Sequence, residues 1–292
     1  MAVKEFTVGS RPQAVWGWLV IMDFFLAGTG SGLFILSLIL GYPLGMTVGV
    51  ILVLLGGALL LADLTRPTNA WRVIMRPQSS WLSRGTVSII VFAILAIIHI
   101  AYLLTSSGGS MVNSTSWANI PGWEKIIAIL SGVTAATVAL YPGFLLGSMR
   151  GIPLWNSVLS PALFLSSALI AGLGVALLLP QGANGLRSLI ALQVAGVGFI
   201  LLQFLLLLSL LFTSQVEATK TAVLRLTQGD LKSQFYFGIL TFGLIIPLAL
   251  LLISLGTITN TMLPLASGIL LLIGQLMLRY SLVKAGIFVS PV

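Results

Sequence analysis

The sequence predicts an all-α integral membrane protein of about eight transmembrane helices, and three observations carry that expectation. Apolar residues fill 58% of the 292 positions and charged residues only 7%, against about 25% charged in ordinary soluble domains. Mean hydropathy is +1.13, more than a water-covered surface tolerates. Eight apolar stretches, at roughly 14–40, 43–62, 85–105, 124–148, 157–179, 187–213, 235–256 and 262–284, each approach the ~20 residues that span a bilayer as helix. None alternates strictly, which argues against a membrane β-barrel. In lipid, backbone groups must then be satisfied within helices.

Composition also narrows the chemistry. There is no cysteine and one histidine, His99. Disulfides, thiolate metal sites and iron–sulfur clusters held by this chain are excluded, as is a haem held by two of its own histidines. The net charge of +8 reads as basic loops that set orientation, not as a nucleic-acid surface. No cleavable signal peptide is expected from the polar MAVKEFTVGSRPQ start.

The first stretch contains Asp23, within WLVIMDFFLAGTGSG. A carboxyl group in a span costs several kcal/mol, so it must face protein or water. The GTGSG run follows no strand and lies in an apolar helix, so it fails the context of a dinucleotide loop; small residues so spaced let helices approach closely. Gly41-Tyr42-Pro43 makes a tight turn into the second stretch. That stretch closes at LLLADLTRP with Asp63 and Arg66, and the segment to Arg84 adds Arg72 and Arg76.

The third stretch carries His99, more often a packed residue than a relay when alone. Before the fourth lies a Ser/Asn/Gly loop with Trp117 and Trp123, suited to an interfacial belt. The fourth holds Tyr141-Pro142-Gly143. By helical rise Tyr141 reaches about the depth of Asp23, so the two are expected to line one cavity from two helices, with Arg84 able to pair with Asp23 or Asp63. Gln193, Gln203 and Gln275 in later spans read as interhelical hydrogen-bonding groups. The segment from Glu217 to Lys232 is the other charged loop.

With eight spans, Lys4, Arg11, Arg66, Arg72, Arg76, Arg84, Arg150, Lys220, Arg225, Lys232, Arg279 and Lys284 share one face, leaving Lys125 and Arg187 on the other. The positive-inside rule puts both termini in the cytoplasm.

The strings WxWLVxxDFFLAGTGSG, LADLTRP, WRVIMRPQSSWLSRG and YPGFLLG together resemble the NrfD/PsrC family, the membrane subunits of polysulfide-reductase-type molybdoenzyme complexes. The motifs cover about the first 150 residues; the rest matches as four hydrophobic spans. The resemblance implies two four-helix bundles, residues 1–150 with the quinone-site motifs and 151–292 with the remaining spans. It implies a plasma-membrane subunit that binds a quinone but holds no haem or cluster, and no catalytic centre beyond that site. The partners implied are an Fe–S electron-transfer subunit and a molybdopterin catalytic subunit.

Asp23 and Tyr141 then fall at the reacting positions of the quinone site. Asp63 and Arg84 lie at its mouth, and Arg66, Arg72 and Arg76 serve the docking of the partner. A carboxyl in apolar surroundings keeps its proton more readily, which suits Asp23 to proton exchange. The alternative is a secondary transporter, which also uses broken helices and buried acids. Against it stand the clustering of charges near one face and the lack of a second buried acid to supply a coupling site.

Overall fold

A computed structural model describes residues 11–63, 78, 80–106, 121–180, 185–212, 217–257 and 262–289. Among the described residues eight helices are long and apolar enough to cross a membrane: α1 (Trp18–Leu40), α2 (Pro43–Asp63), α3 (Trp81–Ser106), α4 (Gly122–Gly147), α5 (Leu159–Leu178), α6 (Gly185–Phe212), α8 (Gln234–Gly256) and α9 (Met262–Lys284). A shorter amphipathic helix, α7 (Glu217–Thr227), lies between α6 and α8. The eight-span expectation holds, and the protein is a multi-pass membrane protein. Boundaries shift by a few residues, one of them with consequence: α3 begins at Trp81, so Arg84 sits inside its first turn.

Large apolar side chains such as Ile97, Ile129, Leu205 and Phe237 face outward, as they must where lipid is the solvent. The interior combines large side chains such as Phe24, Phe34, Phe92 and Met46 with small residues where helices cross. α1 is the most enclosed span, and its GTGSG run explains why. A Cβ on Gly30 would lie 2.4 Å from the Gly49 carbonyl oxygen of α2, and one on Gly32 would lie 1.9 Å from that of Ala168 in α5. Gly172 of α5 answers from the other side, its Cβ position 2.1 Å from the Leu33 nitrogen. Glycine there lets α1 touch α2 and α5 backbone to backbone, where dispersion replaces the missing hydrophobic drive. Gly32→Val is therefore expected to abolish accumulation of folded protein, read as loss of the monodisperse peak on size-exclusion chromatography.

α1 ends where its sequence stops it. Gly41 adopts the left-handed conformation (φ 65°, ψ 38°). Its N–H bonds the Leu38 carbonyl while that of Tyr42 bonds Ser37, the pairing of a Schellman cap. The Tyr42 hydroxyl donates to the Pro180 carbonyl at the end of α5, so the same turn ties the two central helices.

In α8 the first twelve residues, Gln234–Ile245, are wound as π-helix. π-Helix usually appears only as single-turn bulges. Here it accompanies the contact of Gly243 with Gly274 of α9, where a Cβ on Gly274 would fall 2.0 Å from the Gly243 Cα. Gln193 donates to Ser254 at 2.9 Å and Gln203 to Gln275 at 3.0 Å, the interhelical role expected of these glutamines.

The first and last described segments meet on one face. Strand β1 (Arg11–Pro12) pairs antiparallel with β2 (Ile287–Phe288), and Lys284 donates to the Trp16 carbonyl. Arg225 of α7 grips the Asp230 carboxylate with two donors and bonds the Lys284 carbonyl. This face carries the start of α1, the end of α4 and the end of α9.

Candidate functional site between α3 and α4

Asp23 lies five residues into α1 and is completely buried. Tyr141 comes down from the far end of α4 and donates its hydroxyl to Asp23 Oδ2 at 2.9 Å. Asp23 and Tyr141, 118 positions apart in the sequence, are thus hydrogen-bonded to each other. Their partnership is enforced sterically: a Cβ on Gly85 of α3 would fall 2.5 Å from the Tyr141 ring, and the Phe24 ring meets Tyr141 edge-on at 6.3 Å between centroids. Gly85→Ala is therefore expected to push Tyr141 off the carboxylate.

Pro142 removes one helical hydrogen bond just beyond Tyr141, and a Cβ on Gly143 would lie 2.4 Å from the Pro161 Cα. The YPG string is thus a packing device that seats α4 on the start of α5 as well as a carrier of the tyrosine.

Beside Tyr141 a cavity of about 230 Å³ opens between α3 and α4, lined by Trp81, Arg84, Ser88, Thr137, Leu140, Tyr141 and Phe144. Trp81 and Phe144 stack in parallel, 4.8 Å apart at 8°. The Arg84 guanidinium lies 4.4 Å from the Trp81 ring centre, and its Nη2 donates to the Gln78 carbonyl. One wall is therefore aromatic and planar, one corner cationic, and Tyr141 supplies a hydroxyl at the inner end. The cavity falls somewhat below the ~300–1,000 Å³ of pockets that enclose a whole ligand.

Two expectations need correcting. Asp23 is not among the residues that line this cavity; it is hydrogen-bonded to Tyr141, which is. Nor does Arg84 pair with Asp23, whose Oδ1 has no hydrogen-bond partner; helix α3 starts early enough to place Arg84 over Trp81 instead. Asp63 is exposed at the end of α2. Arg66, Arg72 and Arg76 fall outside the described residues.

Sequence reasoning missed two buried groups. Glu124, in the first turn of α4, is completely buried and bonded through Oε1 to Nδ1 of His99. It is a second buried acid, contrary to the expectation that there is none. Arg279, counted with the face charges, is 1% exposed, and its three guanidinium nitrogens have no hydrogen-bond partner. It lies between α9, α5 and α1, with the Phe25 ring centre 5.7 Å away.

Fold and site together define a multi-pass membrane protein with an aromatic-walled cavity backed by a tyrosine–aspartate pair. Comparison with known proteins places it further. The profile described as "Polysulphide reductase, NrfD" matches residues 7–291, and the chain belongs to that family. It is 27% identical to the C subunit of polysulfide reductase from Wolinella succinogenes, over 93% of this chain and 94% of that one. It is 26% identical to protein NrfD of Escherichia coli, over 93% and 95%. An NrfD homologue of Haemophilus influenzae is 24% identical over 61% of this chain and 62% of its own.

Proposed function

We propose that the protein is the quinone-binding membrane subunit of a multi-subunit oxidoreductase in the plasma membrane. It exchanges electrons between the quinone pool and an Fe–S partner that serves a molybdopterin catalytic subunit. The observation that carries this reading is the Tyr141–Asp23 hydrogen bond at the inner end of a cavity walled by Trp81 and Phe144. Trp81 and Phe144 would seat a planar ring, and Tyr141 would hydrogen-bond its oxygen.

Reduction of a quinone takes two electrons, supplied by the partner, and two protons. Asp23 serves one of them through Tyr141, and solvent at the exposed Arg84 edge of the cavity supplies the other. With Asp23 ionised, the tyrosine hydroxyl points at the carboxylate. With Asp23 protonated, the carboxyl donates to the tyrosine oxygen and frees its O–H to face the ring. Proton transfer to the ring oxygen and from Asp23 to Tyr141 then runs along two hydrogen bonds, and oxidation of a quinol reverses it. A secondary transporter gains one argument from Glu124, yet that acid is tied to His99 and leaves the aromatic cavity unexplained.

The test is to solubilise the native assembly gently, assay iron and molybdenum, identify what co-purifies by mass spectrometry, and measure quinol-linked turnover. The expected result is an Fe–S protein and a metal-rich large subunit in fixed ratio, with turnover that depends on added quinol. A chain that purifies alone and metal-free, with substrate-driven uptake into vesicles, points to a transporter.

A further inference from the structure

Three side-chain hydroxyls line the cavity between α3 and α4, and two of them are already engaged within the protein. Tyr141 donates to Asp23 at 2.9 Å, and Thr137 donates to the Thr134 carbonyl at 2.7 Å. The third, Ser88, makes no hydrogen bond among the described residues. Its own helix behaves otherwise: Thr86, Thr105 and Ser106 of α3 each return their hydroxyl to a backbone carbonyl one turn earlier. A hydroxyl in an apolar span bonds back in this way because lipid offers it no partner. Ser88 is half-buried and lines the cavity with its bonding capacity unused.

Its height in the membrane matters as much as its freedom. Gly85 is the α3 residue pressed against Tyr141, where a Cβ would fall 2.5 Å from the ring. Ser88 lies three residues further along, a neighbour of Gly85 on the helix surface and about 4–5 Å deeper at ~1.5 Å per residue. Arg84 stands one turn before Ser88, near the start of α3 and over Trp81. From its outer end inward, the cavity therefore offers a cation on an aromatic face, then the tyrosine, then an unengaged hydroxyl. The step between the last two is of the order of one six-membered ring.

The chemistry of a hydroxyl narrows what it takes. Serine can donate or accept, and rotation of its O–H selects between the two. A ring oxygen accepts as a quinone carbonyl and also donates as a quinol hydroxyl. Ser88 can follow that exchange with no movement of the backbone, whereas a guanidinium such as that of Arg84 only donates.

We propose that Ser88 is a specificity-determining residue of this cavity: its hydroxyl bonds the second ring oxygen, at the end of the ring away from Tyr141. The site then takes rings that carry two oxygens at opposite ends, and it holds both redox forms of them. This rests on the quinone reading and deepens it by stating the shape of the substrate. A ring with a single oxygen engages Tyr141 alone.

The test is calorimetric titration of the assembled complex in nanodiscs with three probes that share one methylated ring. Duroquinone and durohydroquinone carry both oxygens, and durenol carries one. Ser88→Ala removes an atom with no partner in the protein, so the melting temperature without ligand is expected to stay unchanged. Duroquinone and durohydroquinone are expected to bind Ser88→Ala about 3- to 10-fold more weakly, the loss of one neutral hydrogen bond. Durenol is expected to bind both proteins alike. Equal weakening of all three probes would make the effect one of cavity shape, and unchanged affinity for all three would leave Ser88 outside the site; either result overturns the proposal. A melting temperature that falls without ligand also overturns it, since the hydroxyl would then serve the fold. Failure of the quinone reading looks different: the unmodified complex then binds neither two-oxygen probe, or binds both as tightly in Tyr141→Phe.

Discussion

Asp23→Asn is expected to lower quinol-linked turnover of the assembled complex by about 10²-fold or more, the range in which positioned acid–base groups act. Dye-linked activity of the catalytic partner should be unchanged. The substitution is close to isosteric, and its amide oxygen still accepts the Tyr141 hydroxyl, so the 2.9 Å contact and the packing around Gly85 survive. What is lost is a group that can hold and release a proton behind the tyrosine. Tyr141→Phe breaks the same relay from the other side but also strands Asp23 Oδ2 in the interior, adding a stability cost of about 1–3 kcal/mol for an unsatisfied buried acceptor. A parallel loss of both quinol-linked and dye-linked rates in Asp23→Asn would make Asp23 a structural residue. Two unchanged rates would remove it from the mechanism.

Much of this architecture was legible because lipid simplifies the code. Apolar runs of bilayer length have one solution for their backbone, so eight spans could be placed to within a few residues, and the two-residue turn at Gly41 was visible in its glycine. The depth argument that brought Asp23 beside Tyr141 worked for the same reason, since rise per residue is fixed in a helix. What rise does not give is rotation about the axis. Asp23 was expected to line the cavity and is instead hydrogen-bonded to Tyr141, which does; the azimuth of α1 is set by Gly30 and Gly32 against α2 and α5. Arg279 failed as a face charge for a related cause. Five residues from a helix end is within snorkelling distance of the surface, yet Gly28 leaves a hollow on α1 that receives the guanidinium inside. Glu124 had a readable signal that passed unused. α3 and α4 are antiparallel neighbours, His99 sits late in one and Glu124 early in the other, and a histidine in an apolar span needs a partner at its own depth.

That pair yields a stability prediction. His99 and Glu124 are both essentially unexposed, and Glu124 Oε2 already lacks a partner. His99→Leu would leave the buried Glu124 carboxyl with no hydrogen-bond partner, and an unsatisfied buried polar group costs about 1–3 kcal/mol. Replacing both, as His99→Leu with Glu124→Leu, takes away the buried polar group along with its partner and is expected to recover most of that loss. Thermal unfolding of the four proteins in nanodiscs gives the coupling energy directly as a double-mutant cycle. Single-variant losses that simply add in the double variant would mean the hydrogen bond between the two rods contributes nothing. The consequence reaches the site. Glu124 and Tyr141 are seventeen residues apart on α4, about 25 Å at ~1.5 Å per residue, and the same two helices that are pinned by His99 at one end form the Trp81–Phe144 wall at the other. If the pair pins them, the His99→Leu single variant loses quinol-linked turnover as the wall splays, whereas the double variant, stable again but unpinned, separates the contribution of the clamp from that of mere stability.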